Sequence, residues 1–69
     1  MTTRRKPAKR RFTVVINGDG GYAPYRVRAA SWREAEDLGR AAHANVYPED
    51  PPHEIGCAAV IAGWPDVWA

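Results

Sequence analysis

Cysteine is nearly missing from this chain. Cys57 stands alone among 69 residues, so no intramolecular disulfide can staple the fold, and a reducing compartment is the expectation. Histidine is scarce too, with only His43 and His53. The run His53-Glu-Ile-Gly-Cys57 lacks the paired C-x-x-C or H-x-x-x-H elements that make zinc spacing specific. A Cys–His nucleophile pair would need a third orienting group and a cleft, and a domain this small rarely forms a deep one. The chain therefore reads as non-catalytic, with no cofactor, no metal and no small-molecule substrate. His43 is expected on the polar side of a helix, His53 in a proline-rich loop, and Cys57 as a small buried apolar residue.

Long hydrophobic runs are also lacking. No stretch is long enough for a transmembrane span, and the first residues do not carry the apolar core of a secretory leader. The expectation is a cytoplasmic protein, or a nuclear one in a eukaryotic host. Lysine is rare beside arginine, two against eight, a coding bias associated with GC-rich bacterial or phage genomes. At this length only about 60% of the unfolded surface can be buried, so a partner chain is a common aid to stability.

Positive charge is what the chain has in one place. Arg4, Arg5, Lys6, Lys9, Arg10 and Arg11 are six of its ten basic residues. Residues 12–69 hold the other four against all eight acids, a formal charge of −4. Residues 1–11 show no apolar periodicity and repel one another, which predicts a disordered basic arm. Such an arm suits phosphate neutralisation, nuclear localisation or plain solubility. Residues 12–69 read as a single ββαβ domain.

The organising element of that domain spans Ser31 to about Asn45. Ser31 and Glu34 have capping-box spacing. Trp32, Ala35, Leu38, Ala42 and Val46 recur at steps of three and four and predict one buried face. Arg33, Glu34, Glu36, Asp37, Arg40 and His43 fall opposite, with Arg33–Asp37 and Glu36–Arg40 as supporting i,i+4 pairs. Gly39 inside this pattern costs about 1 kcal/mol relative to alanine, which predicts a strand passing close beneath it. Asn45 is expected to end the helix in a left-handed conformation, before Pro48.

Phe12–Ile16 alternates as a half-buried strand. Asn17-Gly-Asp-Gly-Gly21 supplies a hairpin turn. It leads into a strand and not a helix, so it is no phosphate loop, and its spacing does not fit a calcium loop. Tyr25–Ala29 forms the second strand, with Pro24 suited to an edge. Tyr47–His53 reads as a rigid, acidic, extended loop. Ile55–Gly63 is apolar on both faces and predicts a strand covered on both sides. The segment Tyr25-Arg-Val-Arg-Ala-Ala-Ser-Trp-Arg-Glu-Ala-Glu is similar to a strand-to-helix junction common in small bacterial and phage proteins. That resemblance implies local structure and no activity.

Assembled, these elements predict an α+β domain with sheet order 2-1-3 and the helix on one face. A right-handed crossover would lay the third strand parallel to the first. The helix would cover Phe12, Val14, Ile16, Tyr25, Val27 and Ala29. The other face would present Thr13, Val15, Arg26, Arg28 and one side of the third strand, an apolar strip that calls for a second copy, nucleic acid or the Trp64–Trp68 tail. Two functional readings follow. In the first, the protein is a nucleic-acid-associated accessory protein whose arm holds phosphates with help from Arg26 and Arg28. In the second it is a protein-interaction module, homodimeric or a phage-encoded modulator of a host protein, acting through Val15, Val60, Trp64 and Trp68.

Overall fold

A computed structural model describes residues 8–18 and 20–65. Strand β1 runs from Arg10 to Gly18 and β2 from Gly21 to Ala29. Helix α1 spans Trp32–Val46, a 3₁₀ turn Pro52–Glu54 follows, and β3 spans Gly56–Ala62. The sheet order is β2-β1-β3, as the sequence predicts for an α+β domain.

Strand direction corrects one expectation. Both pairings of β1 are antiparallel, so β3 does not run parallel to the first strand. The crossover through α1 starts from β2 and ends at β3. It is those two that run parallel to each other, with β1 inserted between them.

The hairpin closes on the pair Gly18–Gly21. Gly21 has φ 116°, a conformation that side chains rarely adopt. Strand β1 is longer than predicted at both ends and β2 at its start, whereas β3 is one residue shorter at each end. Arg10 and Arg11, assigned to the arm by composition, are strand residues opposite Ala29 and Arg28. Residues 1–7 lie outside the described residues.

Ser31 caps α1, its Oγ accepting from the Glu34 N–H at 3.1 Å. The Glu34 carboxylate reaches one residue further back than a capping box requires and accepts from the Ala30 N–H at 3.0 Å. The helix does not end on a left-handed Asn45, because no described residue other than glycine has a positive φ. It continues to Val46, and the Tyr47 N–H donates to the His43 carbonyl. The connection to β3 is likewise less extended than predicted. A turn closes from Asp50 N–H to Tyr47 O, and the 3₁₀ turn follows.

The buried line of α1 is Ala35, Gly39 and His43. Trp32, Leu38 and Val46, placed by periodicity on the buried face, are 50%, 39% and 57% exposed. Close approach explains the rotation. A Cβ on Gly39 would lie 2.4 Å from Val14 Cγ1, so the strand passes directly beneath the glycine, as predicted. The smallest residues occupy the contact line and the bulky ones flank it. Phe12, Val14, Ile16, Ala29 and Ala35 form the core, with Tyr25, Val27, Ile55, Cys57 and Val60 packed against it.

Candidate functional site

One end of the sheet gathers the basic residues. There β1 starts, β2 and β3 finish and α1 begins. The geometry follows from register: Arg11 faces Arg28 across β1 and β2, and Phe12 faces Ala62 across β1 and β3. Lys9, Arg10, Arg11, Phe12, Arg28, Trp32, Ala62 and Gly63 line an open groove of about 400 Å³. Six cationic and aromatic side chains thus converge on it, four of them from residues 9–12 and two, Arg28 and Trp32, from further along the chain.

Aromatic rings hold the guanidinium groups. Arg10 lies over Phe12 at 5.6 Å from the ring centre. Arg11 and Arg28 lie 4.7 Å and 5.2 Å from the Trp64 ring. Each contact of this kind stabilises by about 0.5–1 kcal/mol at an exposed position, while the outer N–H donors remain able to meet an anion. Trp32 packs edge-on against Phe12, with ring centres 4.8 Å apart, and half of it faces solvent.

Trp64 also answers part of the open-face problem. The Gly63 N–H donates to the Arg11 carbonyl at 2.7 Å, and the Thr13 hydroxyl donates to the Gly63 carbonyl at 2.8 Å. These bonds turn the chain after β3 back across the sheet. The Trp64 indole N–H then donates to the carbonyls of Phe12 at 3.1 Å and Val27 at 3.3 Å. Thr13 is buried and Val15 is only 7% exposed. Val15 lies on the face opposite α1 as expected, but with little surface to offer a partner. Val60, grouped with it from the sequence, pairs with Val14 and packs on the helix side. Trp68 lies outside the described residues, as do Arg4, Arg5 and Lys6. Arg26 shares the face of Arg28, opposite Thr13.

The far end of the sheet has the opposite character. Gly18, Gly20, Gly21, Tyr22, Ala23, His43, Tyr47, Glu49 and Asp50 line a cleft of about 290 Å³. His43 is not the solvated residue that the polar-face assignment implies; it is 2% exposed. Its Nδ1 lies 2.7 Å from the Tyr25 hydroxyl and its Nε2 lies 2.9 Å from Asp50 Oδ2. The sequence signal for this cluster is slight: a histidine two helical turns beyond Ala35, with an acid seven residues on. Burial first, then Tyr47 and Asp50, push the Tyr25 hydroxyl above its ordinary pKa, which favours its protonated form. Burial and then the Glu36 carboxylate likewise raise the Cys57 thiol, against smaller opposing effects of Arg40 and the Ala59 backbone. A protonated thiol is a poor nucleophile. His53 and Glu54 are both exposed and 3.9 Å apart. Among the described residues no group of three His, Cys, Asp or Glu could hold a metal ion, and no helix is long and apolar enough to cross a membrane.

No family model matches the chain, and no curated protein or solved structure matches it at a significant level.

Proposed function

We propose that this is a non-catalytic, cytoplasmic nucleic-acid-associated accessory protein that holds the phosphate backbone at its basic end. Arg4, Arg5, Lys6, Lys9, Arg10 and Arg11 supply the positive charge, with Arg26 and Arg28 assisting from β2. The observation that carries this reading is the groove itself, where Arg28 joins Lys9, Arg10 and Arg11 beside Trp32. A solubilising tail gives no reason for a strand arginine and an exposed tryptophan to line the same groove.

Three of the acids lie far from the basic end. Glu49, Asp50 and Glu54 lie in the connection between α1 and β3, at the other end of the helix. A 15-residue helix at 1.5 Å per residue separates the two ends by about 22 Å. The Debye length in physiological salt is about 8 Å, so these three acids are screened from the groove. Glu34 is nearer, at the start of α1, where its carboxylate accepts from the Ala30 N–H and directs phosphates away from the helix N-terminus.

The test is fluorescence anisotropy with labelled DNA and RNA, comparing the full chain with a variant carrying Gln at Arg4, Arg5, Lys6, Lys9 and Arg10. The expected result is binding at about 50 mM salt that weakens steeply by about 200 mM, with most of the affinity lost in the variant. No binding at low salt would refute the proposal.

A second reading, a protein-interaction module that pairs with its own copy, draws on a different observation. The β2 edge carries Pro24, Arg26 and Arg28, whereas β3 presents seven residues without charge or proline. Unprotected edges of that kind add strands. Sedimentation of the full chain beside Ala59→Lys tests it, and a wild-type protein that is monomeric at high concentration removes it.

A further inference from the structure

We infer that the basic end selects single-stranded over double-stranded nucleic acid, with one base stacked on Trp32. This rests on the phosphate-binding reading above and names the form of nucleic acid that the same groove takes.

Trp32 is the first residue of α1 and is half exposed, although an indole buries more apolar surface than any other side chain when it can. Its edge contact with Phe12 fixes the ring at 62° to the Phe12 plane, so the indole is held without being covered. It lines the groove together with Lys9, Arg10, Arg11 and Arg28. Binding of single strands without sequence preference combines these two features: a cationic track for the backbone and an aromatic face that accepts any base. In a duplex the bases are stacked on one another, and a lone indole beside a phosphate track has no base to receive.

The helix N-terminus is not the anion site in this arrangement. Ser31 and Glu34 already satisfy the N–H groups of Glu34 and Ala30, and the Glu34 carboxylate would repel a phosphate placed there. The phosphates are left to Lys9, Arg10, Arg11 and Arg28. Trp64 cannot serve as the platform in place of Trp32. Its N–H is tied to two backbone carbonyls, and Arg11 and Arg28 lie against its ring.

The experiment titrates the full chain with labelled oligothymidylate, oligouridylate and a mixed-sequence DNA duplex, each of about 12 nucleotides per strand, within the usual site range. Trp32→Leu keeps an apolar group against Phe12 and removes the ring, and Trp32→Phe keeps a ring; circular dichroism melts confirm that both variants fold. The inference predicts tighter binding of the single strands than of the duplex. It also predicts that Trp32→Leu weakens single-strand binding about 5- to 150-fold, as expected for one lost base–aromatic stack, that Trp32→Phe recovers most of it, and that the duplex loses less affinity than the single strands. Comparing the thymidylate and uridylate arms tells DNA from RNA. Wild-type affinity for single strands in Trp32→Leu, or a duplex bound as tightly as a single strand, overturns the stacking inference while leaving phosphate binding intact. Failure to bind all three probes overturns both.

Discussion

The Tyr25 hydroxyl sits 2.7 Å from Nδ1 of His43, joining the middle of β2 to the last turns of α1. In the tautomer with the proton on Nε2, the His43 ring donates to Asp50 and accepts the Tyr25 O–H at Nδ1. One proton arrangement thus satisfies both ring nitrogens and ties strand, helix and connection together. Tyr25→Phe leaves the buried Nδ1 without a donor and is expected to cost about 1–3 kcal/mol. His43→Ala removes the ring as well and is expected to cost more. Urea unfolding of the three proteins checks the order.

The same contact sets a pH dependence. The folded protein holds the Tyr25 proton at pH values where the unfolded chain has begun to release it, because the folded pKa is raised. Stability from this group is therefore complete below about pH 10, the ordinary tyrosine value, and falls as pH rises past it. The decline in urea midpoint between about pH 9 and pH 11 should be shallower in Tyr25→Phe than in the wild type. Equal slopes would mean that Tyr25 does not carry the effect.

Gly39→Ala is expected to destabilise the fold, although alanine is the better helix former by about 1 kcal/mol. The added methyl would meet Val14 at 2.4 Å from Cγ1 and 2.6 Å from Cβ, and neither atom is the free end of a flexible chain. Overpacking of this kind costs about 1–3 kcal/mol. The double variant Gly39→Ala with Val14→Ala should show a favourable coupling in a double-mutant cycle, since the clash needs both side chains.

Gly39 also shows how far the sequence could be read. The glycine within a helical pattern points to a strand beneath it, alternation in Phe12–Ile16 with the turn at Asn17–Gly21 gives the hairpin, and a crossover from the first strand gives the 2-1-3 order. The helix rotation was not legible, because periodicity weights bulky residues. Contact distance is set by small ones, so Ala35 and Gly39 took the centre and carried His43 inward with them. The direction of β3 was missed because the crossover was counted from β1 and not from β2. At the basic end, composition located Lys9, Arg10 and Arg11. Alternation in Tyr25–Ala29 marks Arg28 as an assisting residue, but Trp32 joins the groove only through the start of α1, where periodicity assigns it to the buried face.

Trp64→Phe tests what the returning chain contributes. It keeps a ring for Arg11 and Arg28 but loses the N–H shared by the Phe12 and Val27 carbonyls, with an expected cost of about 1 kcal/mol. Thermal melts of the wild type and of Trp64→Phe measure it, and an unchanged melting temperature would mean that the indole hydrogen bonds add nothing to the fold.

Arg28 gives the most direct test of phosphate binding at the basic end, since it belongs to the sheet and not to the chain's first residues. The measurement is the slope of log affinity against log salt for labelled single-stranded DNA, in the wild type, Arg28→Gln and Arg28→Lys, with melting temperatures as the fold control. On a single strand, one lost phosphate contact lowers the magnitude of that slope by about 0.7. The account predicts this drop in Arg28→Gln and its absence in Arg28→Lys, which keeps the charge. Identical slopes in all three folded proteins would contradict it.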